Sequence, residues 1–288
     1  MTDRLTIVEV GPRDGLQNEP ATIATADKVA LVDALSATGL TRIEAASFVS
    51  PRAVPQMADG AAVMAAIRRA PGVAYAALAP NMRGLEAALA AGADEVAVFA
   101  SASEGFSRRN INATIEESLD RFVPVAEGAR AAGVRLRGYV SCVVACPYDG
   151  PVAPAAVASV AARLAALGAV EVSLGDTIGR GTPETVGAML DAVLAVLPAD
   201  RLAGHFHDTN GRALESVAVA WARGIRVFDA AAGGLGGCPF APGASGNLAT
   251  GALVDWAGAR GIATGIDRAA LAMAEALARR LSTRAPAA

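Results

Sequence analysis

Residues 95–140 read EVAVFASASEGFSRRNINATIEESLDRFVPVAEGARAAGVRLRGYV and contain one complete unit of strand, helix and strand. The apolar runs at 95–100 and 135–140 predict buried strands, and the longer stretch at 114–132 predicts a helix. Gly133 follows this stretch directly, which is typical of a helix C-terminus. Because a helix that links two strands places them parallel, the stretch predicts a βαβ unit and not a hairpin.

The same alternation continues along the chain and predicts eight strands, each followed by a helix. The strands are predicted at 5–10, 41–46, 73–78, 95–100, 135–140, 170–174, 202–207 and 226–231. The helices are predicted near 25–38, 55–69, 82–91, 114–132, 154–167, 183–196, 210–223, 248–260 and 268–282. Glycines at 39, 92, 133, 168 and 224 each follow a helical stretch.

This even spacing predicts an α/β fold, a single (β/α)₈ TIM barrel that spans residues 1–288. The barrel core covers about 5–266, a glycine-rich lid loop follows the eighth strand, and an extra C-terminal helix covers about 268–282. A doubly wound open sheet is the alternative. It is disfavoured because no Gly-x-Gly-x-x-Gly turn follows the first strand.

The composition excludes several classes of protein. The chain has 288 residues, of which 53% are hydrophobic and 18% charged, so it is too apolar to be disordered. With a net charge of −3 and no run of Lys or Arg, it is a poor candidate for binding nucleic acid or an anionic membrane. We expect neither a signal peptide nor a membrane span. Three cysteines are too few for a disulfide scaffold and favour a cytoplasmic protein.

Polar side chains crowd one predicted end of the barrel. TIM barrels take their functional groups from the C-terminal ends of the strands and the loops after them. Arg13, Asp14 and Gln17 follow the first strand, and Glu44 lies in the second. The loops at the other end carry nothing comparable. The sequence therefore predicts a functional site at the C-terminal end.

The only two histidines, His205 and His207, lie two residues apart on the predicted seventh strand. Their side chains therefore point the same way, into the barrel, and can form half of a metal site. The alternative is a pair of core histidines. Asp14 and Asn247 can add a carboxylate and an amide oxygen, a donor set that suits Mg²⁺ or Mn²⁺. Asn247 as a helix N-cap and Asp14 in an Asx turn remain alternatives.

Three further residues bear on the chemistry. Arg13 can stabilise an enolate or bind a carboxylate, and it can also form a salt bridge to Glu44. Cys238 lies in the glycine-rich segment, where a thiol can act as an acid or base or remain an inert small side chain. Lys28, the only lysine, lies at the start of the first helix and not at a strand end, which disfavours Schiff-base chemistry.

Several motifs resemble those of the 3-hydroxy-3-methylglutaryl-CoA lyase family of DRE-TIM metallolyases. The motifs are GPRDGLQNE (11–19), IEAASFVSPRAVPQM (43–57), GYVSCVVACPYDG (138–150), SLGDTIGRGTP (173–183), HFHDTNG (205–211) and GLGGCPFAPGASGNLAT (234–250). The resemblance covers residues 5–266 and keeps the order of the motifs. It implies a TIM barrel that binds a divalent cation and cleaves 3-hydroxy-3-methylglutaryl-CoA to acetyl-CoA and acetoacetate by a retro-Claisen step, in leucine degradation and ketone body formation.

The resemblance also implies roles for individual residues. The implied metal ligands are Asp14, His205, His207 and Asn247. The implied catalytic residues are Arg13, Asp14, Glu44 and Cys238, with Arg13 stabilising the enolate and Cys238 relaying a proton. The implied substrate-binding residues are Arg13, Gln17, Arg137, Asp176, Arg109 and Asn110. Arg109 and Asn110 are expected in the loop after the fourth strand, facing CoA, and a solvated surface pair is the alternative.

Other functions remain open at this point. One is a lyase for a longer branched 3-hydroxyglutaryl-CoA thioester, and Asn210 stands where the animal enzymes are expected to carry an aromatic residue. Another is a superfamily acyl-CoA condensing enzyme, although those usually carry a long C-terminal region and a His-x-His-Asn-Asp motif where this chain reads His-x-His-Asp-Thr. A non-catalytic protein that binds CoA or metal is the third. The sequence also leaves a homodimer open.

Overall fold

The computed structural model of the protein describes residues 3–238 and 241–282, and the side chains at 237–245 lie outside this description. Eight parallel strands form a closed barrel. They are β1 (Thr6–Glu9), β2 (Arg42–Ser47), β3 (Ala74–Leu78), β4 (Glu95–Ser101), β5 (Arg135–Ser141), β6 (Glu171–Asp176), β7 (Leu202–Phe206) and β8 (Val227–Ala230). The barrel is closed because β1 pairs with both β2 and β8. The predicted TIM barrel is therefore confirmed, and the alternative of a doubly wound open sheet is wrong.

Ten α-helices are found in the described ranges. They are α1 (Thr25–Ser36), α2 (Gly60–Ala66), α3 (Met82–Ala90), α4 (Glu104–Ile111), α5 (Ile115–Ala131), α6 (Pro154–Leu167), α7 (Pro183–Leu194), α8 (Ala213–Ala222), α9 (Thr250–Gly258) and α10 (Arg268–Ser282). All five glycines predicted to follow helices have positive φ, from 68° at Gly133 to 114° at Gly168. This left-handed backbone is the conformation that favours glycine at a helix C-terminus.

One predicted helix differs from the structure. The helix predicted at 55–69 is interrupted: a 3₁₀ turn covers Pro55–Met57, and α2 starts only at Gly60. The ammonium group of Lys28 donates to the carbonyl of Gln56 and to the carboxylate of Asp59, which draws this backbone away from a continuous helix.

A further helix, α4, lies where the sequence predicted only a loop. Its N-cap is Ser103, whose side chain accepts from the N–H of Phe106. Asp149, which is distant in sequence, accepts from the hydroxyl of Ser103 and from the N–H of Gly105. Because part of the cap comes from another loop, the local pattern did not show it.

Buried ion pairs lie inside the barrel, below the C-terminal ends of the strands. Arg42, at the start of β2, pairs with Glu95 at 2.9 Å and with Glu171 at 3.0 Å. Arg137 pairs with Glu171 and Asp229, both at 2.7 Å. These buried charges are acceptable because each is paired. They leave the C-terminal end of the barrel free for a site. No helix in the described ranges is long and apolar enough to cross a membrane.

Candidate active site

A tight turn at the end of β1 carries two of the predicted residues. Gly11–Gly15 form one π-helical turn, in which the N–H groups of Arg13, Asp14 and Gly15 all point at the carbonyl of Val10, at 2.7 to 3.2 Å. Such turns are often found at functional sites. This one lifts Asp14 to the barrel mouth, where 15% of its side chain is exposed.

His205, His207 and Asp14 meet above the strands. The three side chains offer one ligand atom each, and these atoms all lie within 4.8 Å of one another. The Nε2 atoms of the two histidines are 3.2 Å apart, and Nε2 of His205 lies 4.0 Å from Oδ2 of Asp14. β7 ends at Phe206, one residue before its predicted end, yet both imidazoles still converge as the alternation predicted.

Asn247 reaches the same point from the segment after β8. Its backbone forms a bridge to His207, and the N–H of the next residue, Leu248, donates to the carbonyl of Phe206 at 3.3 Å. Nδ2 of Asn247 donates to Oδ2 of Asp14 at 2.9 Å. The helix-cap alternative is wrong, because α9 begins at Thr250 with Ala249 as its N-cap.

Asp229 is a buried partner of this cluster that the sequence analysis missed. It lies on β8 and accepts from Nδ1 of His205 at 3.1 Å, which leaves Nε2 facing Asp14. Arg137 and the hydroxyl of Ser173 also donate to it. Its signal was a carboxylate inside an otherwise apolar strand. Such a carboxylate commonly orients a metal-binding histidine.

The surroundings of Asp14, His207 and His205 shift their pKa values in different directions. Burial raises the pKa of Asp14, but the nearby Arg13, His205 and His207 outweigh it and hold that pKa at about 2. Burial and the neighbouring His205 lower the pKa of His207 to about 4. For His205, burial lowers the pKa, but Asp229 outweighs this effect and the pKa lies above its usual value.

These residues fit a divalent metal. Asp14 is ionised at neutral pH and His207 is neutral, which are the states in which carboxylates and imidazoles bind metals. Nδ1 of His207 is buried and has no hydrogen-bond partner among the described residues, so this ring retains an unused nitrogen. A carboxylate, two imidazoles and an amide form a mixed O and N donor set. The described residues therefore offer a metal site.

Arg13 lies beside this cluster in a buried pair. Its guanidinium donates to Oε2 of Glu44 at 2.7 Å through Nε and to Oδ1 of Asp14 at 2.7 Å. Burial lowers the pKa of Arg13, but Glu44 and Asp14 outweigh it and raise the pKa above its usual value. Tyr139, which the sequence analysis also missed, donates from its hydroxyl to Glu44 at 3.2 Å. The predicted salt bridge to Glu44 is present, and Arg13 also faces the cluster.

A cavity of about 670 Å³ opens over these groups. Its lining includes Arg13, Asp14, Gln17, His205, His207, Arg109 and Asn110. Gln17 donates to Asp14 at 2.9 Å. Arg109 lies on α4, with its guanidinium 4.6 Å from the centre of the Tyr148 ring. The structure therefore gathers the metal cluster, Arg13 and the two residues predicted to face CoA around one space.

The remaining predicted residues lie elsewhere. Arg137 is 1% exposed, engaged in its ion pairs, and absent from the cavity lining. Asp176 is also buried and absent from the lining, and it accepts from the N–H groups of Gly181 at 2.7 Å and Arg180 at 3.2 Å. Both therefore have structural partners, and their contact with substrate stays a prediction. The side chain of Cys238 lies outside the described residues, and the lid likewise stays a prediction.

The chain is similar to known proteins over nearly its whole length. A family model described as HMGL-like matches residues 4–278. The 3-hydroxy-3-isohexenylglutaryl-CoA/hydroxy-methylglutaryl-CoA lyase of Pseudomonas aeruginosa is 57% identical over 268 residues, which are 93% of this chain and 89% of that protein.

Solved structures show the same likeness. The HMG-CoA lyase of Brucella melitensis is 60% identical, with a TM-score of 0.97 over 98% of this chain and 99% of that one. An HMG-CoA lyase from Acinetobacter baumannii, solved with coenzyme A and 3-methylmalate, is 39% identical, with a TM-score of 0.92 over 98% of this chain and 92% of that one. The family resemblance of the motifs is confirmed: the chain belongs to the HMGL-like family.

Proposed function

We propose that the protein is a divalent-metal-dependent carbon–carbon lyase that cleaves 3-hydroxy-3-methylglutaryl-CoA to acetyl-CoA and acetoacetate. The observation that carries this proposal is the meeting of Asp14, His205 and His207 within 4.8 Å, at the floor of a cavity that Arg13 also lines. The similar proteins are named lyases of this kind. They favour a lyase over a condensing enzyme or a passive binding protein.

The proposed metal ligands are Asp14, His205, His207 and Asn247. We favour Mg²⁺ or Mn²⁺ over a closed zinc site, because no cysteine thiolate belongs to the described cluster and half of the proposed donors are oxygens. When bound, such a cation polarises oxygen groups of the substrate and lowers the pKa of its hydroxyl.

The proposed reaction breaks the bond between C2 and C3 of the acyl chain. A base takes the proton of the tertiary hydroxyl, the oxygen becomes the ketone of acetoacetate, and the bonding electrons pass to C2 as the enolate of acetyl-CoA. A proton then reaches C2. Arg13 is proposed to stabilise the enolate oxygen, since Glu44 holds its guanidinium through a hydrogen bond of 2.7 Å and Arg13 lines the cavity.

We assign the other roles on the same basis. Glu44 holds Arg13 in place, and Tyr139 supports Glu44 through its hydroxyl. Cys238 is proposed to relay the proton, because the family motif carries it and Leu235, three residues earlier, accepts a hydrogen bond from Asn247. Asp14 is proposed to share in proton transfer as well as to bind metal. Gln17 is proposed to bind substrate, since it lines the cavity and touches Asp14.

The CoA moiety is proposed to lie over α4. Arg109 and Asn110 line the outer part of the cavity, and Arg121 joins them from α5. The guanidinium groups of Arg109 and Arg121 suit the phosphates of CoA, and the guanidinium of Arg109 lies over the Tyr148 ring.

A second candidate substrate is a longer branched 3-hydroxyglutaryl-CoA thioester. Val49, Leu78 and Phe99 form an apolar patch that lines the cavity near Arg13. An apolar wall favours an alkyl branch, and the relative from Pseudomonas aeruginosa is named for both substrates.

The test is a product assay. Purified protein with Mg²⁺ and 3-hydroxy-3-methylglutaryl-CoA is expected to release acetoacetate and acetyl-CoA in equal amounts. A parallel assay uses 3-hydroxy-3-isohexenylglutaryl-CoA as the longer branched thioester. The ratio of the kcat/KM values for the two thioesters shows which substrate the protein prefers. If neither thioester is cleaved by folded, metal-loaded protein, the proposed function is wrong.

We also propose a cytoplasmic location, supported by the sparse cysteines of the chain. The sequence leaves a homodimer open, and size-exclusion chromatography with light scattering can test it.

A further inference from the structure

Glu9, the last residue of β1, is a fully buried carboxylate outside the cavity lining. Its Oε1 accepts from the N–H groups of Gly11 at 2.9 Å and Ala232 at 2.8 Å. Its Oε2 accepts from the hydroxyl of Thr250 at 2.6 Å. One carboxylate thus satisfies three buried donors.

The three donors belong to three different segments. Gly11 begins the turn that carries Arg13 and Asp14. Ala232 begins the 3₁₀ turn after β8, which leads into the glycine-rich segment. Thr250 begins α9 and lies three residues after Asn247. Glu9 therefore joins, through hydrogen bonds, the segments that carry Asp14 and Asn247, two ligands of the proposed metal site.

The fit around Glu9 is tight. A Cβ atom at Gly11 would lie 2.6 Å from Oε1 of Glu9 and 3.3 Å from the backbone nitrogen of Ala232, so a larger residue would displace either the carboxylate or the turn. On the other side of α9, Glu275 accepts from the N–H of Gly251 at 2.9 Å. The first two residues of α9 thus each donate a hydrogen bond to a different buried carboxylate.

Retaining a carboxylate here has an energetic cost. Burial raises the pKa of Glu9 to about 7, against the lowering effect of the three hydrogen bonds. An aliphatic side chain would avoid that cost but would leave two backbone N–H groups buried without acceptors. The buried carboxylate of Glu9 is therefore best explained by the three segments whose donors it binds.

We infer that Glu9 is a positioning residue, which fixes the Asp14 turn against the Asn247 segment and so sets the affinity of the proposed metal site. The contact it supports is the hydrogen bond from Nδ2 of Asn247 to Oδ2 of Asp14, at 2.9 Å. The inference rests on the proposed function only in that it takes this cluster as the metal site.

The experiment compares Glu9→Leu with Glu9→Gln and Glu95→Leu. Gln keeps an acceptor for both backbone N–H groups, whereas Leu removes it. Glu95 is a matched buried carboxylate at the opposite end of the barrel, paired with Arg42 and Arg135. The readouts are the Mn²⁺ dissociation constant, from electron paramagnetic resonance of chelator-treated protein, and the melting temperature.

We expect Glu9→Leu to weaken Mn²⁺ binding by about 10-fold or more, and Glu9→Gln by less than about threefold. Glu95→Leu is expected to lower the melting temperature and leave Mn²⁺ affinity unchanged. Wild-type affinity in folded Glu9→Leu overturns the inference, as does an equal loss in Glu95→Leu. If Glu9→Leu does not fold, the Mn²⁺ affinity of Thr250→Val is measured instead, because this variant lacks the hydroxyl that donates to Glu9. A measurable loss of Mn²⁺ affinity in Thr250→Val supports the inference, and an unchanged affinity overturns it. A wild-type protein that binds no Mn²⁺ instead refutes the proposed metal site itself.

Discussion

Asp229 decides which nitrogen of His205 faces the proposed metal. Its carboxylate accepts a hydrogen bond from Nδ1 of His205 at 3.1 Å, so Nε2 of His205 faces the cluster. Asp229→Asn is expected to raise the Mn²⁺ dissociation constant by about 10-fold or more, because the ring loses its charged partner. The measurement is a Mn²⁺ titration followed by electron paramagnetic resonance.

Ser173→Ala is the control for this prediction, since the hydroxyl of Ser173 donates to the same carboxylate at 2.8 Å and the substitution leaves the carboxylate itself in place. It is expected to change the dissociation constant by less than about threefold. Circular dichroism checks that Asp229→Asn is folded, because Arg137 loses part of its pairing as well. Equal affinity in wild type and Asp229→Asn would show that Asp229 does not orient the ligand.

Cys238 allows a separate test of proton transfer. Cys238→Ala is expected to lower kcat by about 100-fold or more and to leave Mn²⁺ affinity and melting temperature unchanged, as expected when only an acid–base group is removed. Steady-state kinetics on the thioester substrate measures this. An unchanged kcat would remove Cys238 from the mechanism.

At the residue scale, the site residues that could be predicted are those whose residue type and position on a strand already indicate a function. His205 and His207 could be predicted because they are the only histidines and alternate on a strand. The roles of Asp229 and Tyr139 could not be predicted, since their partners lie 24 and 95 residues away along the chain. A carboxylate in an apolar strand marks Asp229 as unusual, but only the pairing of β8 with β7 shows that it faces His205.

At the scale of elements, the end of β1 gives the fold a dependence on pH. The pKa of Glu9 is raised from 4.5 to about 7 by burial, so between these values the folded protein keeps a proton that the unfolded chain has released. Glu9 therefore adds stability below pH 4.5 that is lost as the pH rises through 7.

Comparison with Glu9→Gln isolates this effect from other titrating groups. The difference in unfolding free energy, wild type minus variant, is expected to fall by about 3 kcal/mol between pH 4.5 and 7. Urea unfolding at several pH values measures it. A difference that stays constant with pH would contradict the raised pKa.

The elements that the sequence predicted well are those specified by their own residues. The strands and the glycine-terminated helices follow from local periodicity and caps. α4 and the break before α2 depend on Asp149 and Lys28, which reach them from other elements. Such tertiary contacts override local propensity.

At the scale of the whole molecule, the proposed metal joins segments from opposite ends of the chain, namely the turn after β1 and the segment before α9. Binding to the folded state alone should therefore stabilise the entire barrel. With metal at about 100 times its dissociation constant, the gain is about 2.7 kcal/mol. EDTA is expected to lower the melting temperature and abolish cleavage, and Mg²⁺ or Mn²⁺ to restore both. Full activity after chelation would exclude the metal.

The most direct test of this account is a Mn²⁺ titration of chelator-treated protein by electron paramagnetic resonance, for wild type and His207→Ala. One tight Mn²⁺ site per chain in wild type, weakened at least about 100-fold in folded His207→Ala, is the predicted result. If the wild type shows no tight site, or His207→Ala binds Mn²⁺ equally well, the convergence of Asp14, His205, His207 and Asn247 on one cation is refuted.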